Sequence, residues 1–258
     1  MIELRAVGHR FGAVTALAEL DLHVAPGELL SVIGPSGCGK STLLRIIGGL
    51  TTPSQGQVVV NGATADTARA TKQFGLVPQT PALLPWKTVR QNAALLTQVN
   101  RGVERRPVAS DAAVDAMLAE VGLVEFLDAY PRQLSGGMQQ RVALVRAFAL
   151  GAPILLMDEP FAALDEIVRS EMRYLLLRLW QQHAATVVFV THSIPEAVML
   201  SDRVAVMAAR PGRIVSIETI DLARPRHPDM EDSTQFLVHV ATIRRLLAAA
   251  ATPAPVRS

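Results

Sequence analysis

The sequence predicts an α/β fold built on a largely parallel sheet. Short apolar runs bounded by turn residues alternate with longer segments of helical periodicity, as in chains that fold into a sheet covered by helices. Several of the runs are apolar at nearly every position, which is expected of strands buried on both faces. The predicted central strands are ELLSVIG, FGLVPQ, PILLMDEP, TVVFVTH and DRVAVMA.

The segments outside these strands predict an edge sheet, a helical subdomain and a C-terminal helix. The opening runs IELRAVGHRF and LAELDLHVAPGE alternate apolar and charged residues, which favours an antiparallel edge sheet with one exposed face. Residues 88–150 lose the strand signal and acquire helical spacing, so they predict a helical subdomain inserted between two core strands. The clearest spacing is that of Val114, Met117, Leu118 and Val121. Toward the C-terminus we expect closing strands and a turn in IVSIETIDLARPRHPD, a terminal helix in STQFLVHVATIRRLL and a frayed tail in AAAATPAPVRS.

Composition excludes several classes of protein. The chain has 258 residues, half of them apolar and 19% charged, which is ordinary for a globular protein with a buried core. Because 25 basic and 23 acidic residues leave a net charge of only +2, the charge does not indicate a nucleic-acid partner. The single cysteine, Cys38, excludes an internal disulfide and a multi-cysteine metal site. No apolar run approaches the ~18 residues that span a bilayer, so we expect no membrane-spanning segment.

A glycine-rich loop joins an apolar strand to a helix in LLSVIGPSGCGKSTLLRII. Its spacing of Gly34, four residues, Gly39, Lys40 and Ser41 is that of a phosphate-binding loop. Glycines let consecutive backbone N–H groups surround a phosphate, the helix N-terminus is positive, and Lys40 adds a charge. A glycine turn that merely begins a helix has no packing reason for the Lys-Ser pair. The sequence therefore predicts nucleotide binding, with Ser41 as a Mg2+ ligand, by Gly34, Pro35, Ser36, Gly37, Cys38, Gly39, Lys40, Ser41 and Thr42.

Two carboxylates follow another apolar strand in ILLMDEPFAALDE. Burial of Asp158 and Glu159 at a strand end is costly unless a cation or a hydrogen bond compensates. Mg2+ is the natural partner of Asp158, which would orient the ion through water, and Glu159 would position and polarise an attacking water. A solvated turn is the alternative, but four apolar residues precede this pair and Pro160 follows it.

Two further strands end in polar side chains. His192 closes TVVFVTH and could contact a γ-phosphate, although a lone histidine is more often structural. Gln79 closes FGLVPQ, and its amide oxygen is a reasonable additional ligand for magnesium or water. Because parallel strands end at one edge of a sheet, we expect Gln79, Asp158, Glu159 and His192 to converge on one crevice.

A second glycine pair lies in YPRQLSGGMQQRVALVRAFAL. Ser135, Gly136 and Gly137 precede a helix whose apolar face includes Val142 and Val145, so they form a capped N-terminus able to bind an anion. Physical reasoning alone favours an ordinary helix start here. Neither spacing nor charge indicates which phosphate this N-terminus would meet.

Taken in order, these motifs resemble those of the ATP-binding subunits of ABC transporters. The resemblance covers residues 2–225 and rests on GPSGCGKST, Gln79, LSGGMQQR, LLMDEP, the ALD loop ending in Asp165, and the TH pair at 191–192. LSGGMQQR in particular separates this family from GTPases, kinases and other phosphate-loop enzymes.

The resemblance implies both an architecture and cofactors. The implied fold is a RecA-like phosphate-loop core with an antiparallel β subdomain and an inserted helical subdomain. We expect an ATPase domain in residues 1–225 and a C-terminal helical extension and tail in residues 226–258. The implied cofactors are ATP and Mg2+, with Phe11 of HRFGAVTAL stacking on adenine. Many relatives carry tyrosine or tryptophan there, so phenylalanine keeps the stacking face but lacks the polar group.

The resemblance also implies partners. In this family two copies pair head to tail, and the signature of one, here Ser135, Gly136, Gly137 and Gln139, covers the ATP held by the other. Asp165 would then act across the interface. The segment TPALLPWKTVRQN would dock a transmembrane permease subunit; the alternative is a proline-rich turn with Trp86 in the core.

Further features narrow the group within the family. LLPWKTVRQNAAL, PFAALDEIVRSEM and RPGRI followed by DLARPR are similar to importers of the nitrate, sulfonate and taurine group, which also use a solute-binding protein. We therefore expect a homodimeric ATPase, peripheral at the cytoplasmic face of the inner membrane, with no nucleic-acid partner. Two alternatives are a soluble ABC ATPase acting on DNA or the ribosome and a scaffold that binds ATP without hydrolysing it. The first generally has a coiled-coil insertion or two ATPase domains, which this sequence lacks, and Glu159, Gln79 and His192 argue against the second.

Cys38 suggests one narrower hypothesis. Its position inside the positive phosphate loop predicts a reactive thiol, although a small side chain also suits a tight turn. We expect alkylation of Cys38 to block ATP binding and ATP to protect it.

Overall fold

The computed structural model describes residues 1–100 and 109–251. In chain order the strands are β1 (Ile2–Phe11), β2 (Val14–Val24), β3 (Leu29–Ile33), β4 (Gln55–Val60), β5 (Ala63–Thr64), β6 (Phe74–Val77), β7 (Ile154–Asp158), β8 (Thr186–Thr191), β9 (Arg203–Ala208) and β10 (Arg213–Thr219). The α-helices are α1 (Lys40–Ile47), α2 (Ala65–Ala70), α3 (Val89–Ala93), α4 (Leu95–Val99), α5 (Asp111–Glu120), α6 (Gly136–Ala149), α7 (Glu166–His183), α8 (Ile194–Leu200) and α9 (Thr234–Ala251). All five predicted central strands are present, and the predicted α/β class is confirmed.

The chain forms two compact units, one of Met1–Lys72 with the chain from Thr186 onward, the other of Gln73–Ala185. In the first unit, β2, β1, β4 and β5 form an antiparallel sheet in that order, which confirms the predicted edge sheet. The same unit contains β3, which pairs in parallel with β8 on one side and β9 on the other. Every residue of β3 and β8 is buried, as their continuous apolar runs predict.

The second unit contains the parallel pair β6 and β7 and the helices between them. The predicted helical subdomain of residues 88–150 lies wholly within this unit and holds α3, α4, α5 and α6, with no strand in its described residues. Helix α6 packs against α3, α5 and α7. Its apolar face is buried as predicted, with Val142 and Val145 fully inaccessible to solvent.

The predicted terminal helix is present as α9, but it is longer than expected. The run predicted as a frayed tail continues the helix through Ala251, because consecutive alanines have the highest intrinsic helix propensity. Residues 252–258 of that tail lie outside the described residues. Within the first unit, His239 of α9 shares a hydrogen bond of 2.5 Å with the Asp221 carboxylate, and this bond lowers the pKa of Asp221. Among the described residues, no helix combines the length and the hydropathy needed to cross a bilayer.

Candidate active site

The phosphate loop joins the buried strand β3 to α1. Two of its positions, Gly34 and Gly39, require glycine for different structural reasons. A Cβ on Gly34 would lie 2.7 Å from both Cys38 Sγ and the carbonyl oxygen of Met207. Gly39 caps α1 at φ 95°, a left-handed conformation that favours glycine, and a Cβ there would lie 2.5 Å from a Leu17 methyl carbon. At these two positions the loop therefore has no space for a side chain.

Lys40 places a cation inside this loop. Its side chain is buried, and Nζ donates hydrogen bonds to the carbonyl oxygens of Gly34 at 2.9 Å and Pro35 at 3.4 Å. The first N–H groups of a helix have no partner within the helix, and they carry its positive end. Because Ser36, Gly37 and Ser41 are exposed around this cation, the loop presents a positive, accessible surface suited to phosphate. Thr42 is half-buried in the first turn of α1.

Cys38 lies on the inner side of the loop. Only 1% of the residue is exposed, and its N–H donates to the Pro35 carbonyl oxygen at 3.2 Å. A reagent therefore reaches Sγ only after the loop opens, and the effect of Cys38 alkylation on ATP binding stays a prediction. A small side chain fitting a tight turn is the role that the structure shows.

Phe11 ends β1 with 57% of its surface exposed. The His9 ring packs edge-to-face with it, the ring centroids lying 4.5 Å apart at an interplanar angle of 80°. This contact leaves much of the Phe11 ring accessible, so it is suited to stacking on a flat ligand.

His192 is exposed immediately after β8, in a turn fixed by three neighbours. Thr191 Oγ1 donates to the buried Glu196 carboxylate at 2.5 Å and accepts the Ser193 N–H at 3.0 Å. Ser193 in turn caps α8 through the Glu196 N–H. Thr191 pairs with Ile33 in the sheet, so His192 and Gly34 leave neighbouring strands at the same edge.

Gln79 and Asp158 form the corresponding arrangement in the second unit. Val77 of β6 pairs with Met157 of β7, so the residues that follow these two strands emerge side by side. Gln79 is exposed, while Asp158 and Glu159 are half-buried. Glu159 adopts φ 46°, an uncommon conformation for a residue with a side chain and one that is found preferentially at functional sites. The side-chain oxygens of Gln79 and Asp158 are of the type that a hard divalent cation prefers.

The second glycine pair begins α6 as predicted. Ser135 Oγ accepts the Met138 N–H at 3.3 Å, and Ser135 and Gly136 are exposed. Gly137 is instead buried, and a Cβ there would lie 2.6 Å from Val168 Cγ1 of α7. Gln139 directs its amide nitrogen to the carbonyl oxygens of Pro131 and Leu134, so it holds the preceding turn.

Asp165 is the N-cap of α7. Its Oδ1 accepts the Val168 N–H at 3.0 Å, and the residue is exposed. Capping alone accounts for an aspartate here, so an additional role across an interface stays a prediction.

The segment that follows Gln79 exposes its tryptophan. Trp86 is 70% exposed, which excludes the core position that the sequence left open. Two residues that the sequence analysis missed hold this segment: buried Asn92 contacts Leu84, and buried Arg146 contacts Pro81. The sequence pattern could have indicated Arg146, because it is a charged residue on the face of α6 that contains Val142 and Val145.

The predicted site residues thus form two groups, each within one unit. Phe11, the phosphate loop and His192 belong to the first unit, and the others belong to the second: Gln79, Ser135, Gly136, Gly137, Gln139, Asp158, Glu159 and Asp165. The ends of paired strands bring His192 to the phosphate loop and Gln79 to Asp158. Their convergence on one crevice stays a prediction.

Comparison with known proteins agrees with this geometry. The sequence profile of the ABC transporter family matches residues 17–162. An aliphatic sulfonates import ATP-binding protein of Xanthomonas axonopodis is 44% identical over 225 residues, covering 87% of this chain and 88% of the relative. A taurine import ATP-binding protein of Roseobacter denitrificans is 45% identical over 201 residues, covering 78% of this chain and 73% of the relative.

A solved structure is also similar over most of the chain. This ATP-binding cassette is dimeric and in a post-hydrolysis state bound to ADP and Pi. It is 32% identical to this chain in sequence, with a TM-score of 0.70. The match covers 86% of this chain and all of the cassette. The sequence match, the phosphate loop and the shared fold lead to one conclusion: the chain belongs to the ABC transporter family, as an ATP-binding ATPase subunit.

Proposed function

We propose that this chain is the ATPase of an importer for small solutes of the sulfonate and taurine type. The similarity to import ATP-binding proteins over most of both chains supports the transport role. It also argues against the alternative of a soluble ATPase acting on DNA or the ribosome. The observation that carries the catalytic part is the half-buried Glu159, held at positive φ directly after the Asp158 strand end.

The residues of the first unit are proposed to bind the nucleotide. The exposed face of Phe11 stacks on adenine, and residues 34–42 surround the phosphates with backbone N–H groups and the Lys40 ammonium. His192 contacts the γ-phosphate from the neighbouring strand end. A domain of residues 1–225 with a C-terminal extension of 226–258 is proposed to carry this activity.

Hydrolysis is proposed to depend on four side chains and a metal. Ser41, Gln79 and Asp158 would each offer a side-chain oxygen to Mg2+, which would supply positive charge to offset that of the phosphates. The Glu159 carboxylate accepts a hydrogen bond from the attacking water and increases its nucleophilicity.

The second glycine pair is proposed to act on a second copy of the chain. Ser135 and Gly136 leave the N-terminus of α6 open to solvent, so that it can meet the γ-phosphate held by a partner. Gly137 and Gln139 support this N-terminus from inside, and Asp165 at the adjacent helix start acts across the interface. The dimeric state of the similar cassette supports this arrangement.

Trp86 and its neighbours are proposed to dock a transmembrane permease subunit. A 70% exposed tryptophan is a strong candidate for a protein interface. Docking would place the chain at the cytoplasmic face of the inner membrane, and a solute-binding protein would act through the permease.

Substitution of Glu159 tests the catalytic proposal. We expect Glu159→Gln to retain ATP binding, to lose nearly all hydrolysis and to form an ATP-dependent dimer, measured by phosphate release and light scattering. Glu125→Gln is a control for the loss of a carboxylate, because Glu125 is exposed and belongs to the same unit. A Glu159→Gln protein that stays monomeric with ATP and hydrolyses it normally contradicts the assignment.

Reconstitution tests the transport role. The permease and binding protein that copurify with the chain from membranes are placed in proteoliposomes, and ATP hydrolysis is measured with taurine, an alkanesulfonate or nitrate. We expect a sulfonate to stimulate hydrolysis. Hydrolysis stimulated by DNA or ribosomes, and by none of these solutes, would support the alternative function.

A further inference from the structure

Arg146 is a buried cation on the helix that begins with the second glycine pair. It lies on the face of α6 that contains Val142 and Val145, and only 7% of the residue is exposed. Burial in these surroundings lowers the pKa of its guanidinium, because the charged form loses solvation. A buried cation at this position costs stability unless its hydrogen bonds offset the lost solvation.

The acceptors of Arg146 lie in the segment that follows Gln79. Nη2 donates to the Pro81 carbonyl oxygen at 2.6 Å, and Nη1 donates to that of Ala82 at 2.9 Å. Ala82 adopts φ 47°, an uncommon conformation for a residue with a side chain. Such a conformation persists only where the surroundings fix it, and the two bonds from Arg146 do so here.

A second buried side chain fixes the rest of this segment. Asn92 of α3 accepts the Leu84 N–H at 2.7 Å and donates to the carbonyl oxygens of Leu84, Lys87 and Thr88. Exposed Trp86 lies between these anchored residues. Arg146 therefore holds the start of the segment and Asn92 its end, but only Arg146 belongs to α6.

We propose that Arg146 is a positioning residue that ties the segment between Gln79 and Trp86 to helix α6. This role rests on the proposed function, in which Gln79 binds Mg2+, the N-terminus of α6 binds the partner's nucleotide and Trp86 docks the permease. A movement of α6 is transmitted to the segment through the two guanidinium bonds. Lysine cannot replace arginine here, since one ammonium does not reach both carbonyls with the same planar geometry.

The chain provides a matched control on the same helix. Arg141 of α6 also donates to a backbone carbonyl, that of Val121 at 3.1 Å, and it pairs with Glu171 at 2.8 Å. Neither Val121 nor Glu171 belongs to the segment after Gln79. Loss of Arg141 therefore reports what the removal of an anchored arginine from α6 does when no bond to that segment is broken.

Hydrogen exchange of the full-length chain tests the structural step. We expect Arg146→Lys and Arg146→Gln to speed exchange in peptides spanning residues 80–88 by at least about tenfold, since a bond donated by a charged group is worth roughly that factor. Protection of β7, in the same unit, should stay at the wild-type level. Arg141→Lys and Arg141→Gln should leave residues 80–88 unchanged.

Kinetics tests the consequence for hydrolysis. With ATP affinity within about twofold of wild type, the Arg146 variants should require roughly tenfold more Mg2+ for half-maximal hydrolysis, because a misplaced Gln79 weakens its proposed contact with the ion by about 1.4 kcal/mol. A merely structural role moves the unfolding midpoint without moving this Mg2+ requirement.

The outcomes separate this proposal from the proposed function. Three results of the Arg146 variants would each overturn the proposed role. These are unchanged exchange in residues 80–88, a Mg2+ requirement equal to that of the Arg141 variants, and loss of protection throughout β7. A wild-type chain that hydrolyses no ATP contradicts the proposed function instead.

Discussion

Thr191 Oγ1 donates a hydrogen bond of 2.5 Å to the carboxylate of Glu196, and both side chains are buried. Between them lies His192, whose own side chain is exposed at the end of β8. The buried hydrogen bond therefore fixes the backbone of this turn, while the imidazole of His192 stays accessible to solvent. Glu196 was not among the predicted site residues, and the bond gives it a role in holding His192.

Replacement of Glu196 should reduce hydrolysis through this turn. Glu196→Ala leaves the buried Thr191 hydroxyl without its acceptor, which costs about 1–3 kcal/mol of unfolding free energy. We expect lower kcat with nearly unchanged ATP affinity, measured by steady-state hydrolysis and equilibrium binding. Glu196→Gln keeps an acceptor oxygen and should lie closer to wild type. If the Gln and Ala variants are equally active and equally stable, Glu196 does not position His192.

Replacement of Ser135 should separate nucleotide binding from hydrolysis. Ser135→Arg places a long cation at the exposed N-terminus of α6, where the proposed dimer needs close contact with a partner's phosphate. We expect ATP binding to remain and hydrolysis to be abolished. Ser135→Ala removes only the cap, at a cost of about 1 kcal/mol, and should retain much of the activity. Normal hydrolysis by Ser135→Arg contradicts the proposed dimer.

The strands and the phosphate loop could be predicted because their signals are local. β3 and β8 are apolar at nearly every position and are buried throughout, and the spacing of Gly34 and Lys40 is specific to one kind of loop. The hairpin of β4 and β5 was missed, although Asn61 and Gly62 between its strands are a strong local turn signal and both adopt positive φ.

The contacts that hold the site could not be predicted, because their partners are distant in sequence. Arg146 binds carbonyl oxygens 64 and 65 residues away, and no side-chain pattern marks a backbone acceptor. Burial of Cys38 likewise depends on the packing of its loop, so the sequence could suggest a reactive thiol where the structure shows an enclosed one.

Labelling of Cys38 should report opening of the phosphate loop. With 1% of the residue exposed, modification by iodoacetamide should be much slower in the native chain than after denaturation. ATP should slow it further, since a ligand that binds the closed loop lowers the open population. Mass spectrometry over time measures both rates. Native labelling as fast as that of the unfolded chain contradicts the enclosed position.

Gly137 and Val168 join the start of α6 to the start of α7. A Cβ on Gly137 would lie 2.6 Å from Val168 Cγ1, and the Val168 N–H is the one that Asp165 caps. Ser135 and Asp165 cap the starts of α6 and α7. The contact between Gly137 and Val168 holds these two helix starts together and has no space for an added methyl group.

The pair can be tested by a double-mutant cycle. Alanine in a helix is favoured over glycine by roughly 1 kcal/mol, but overpacking against Val168 costs about 1–3 kcal/mol, so Gly137→Ala should destabilise the chain and slow hydrolysis. Val168→Ala removes the methyl carbon that would be struck. The double variant should therefore recover stability and activity relative to Gly137→Ala, with a coupling of about 1 kcal/mol in denaturant unfolding. Additive effects of the two substitutions would show that the helix starts are not held by this contact.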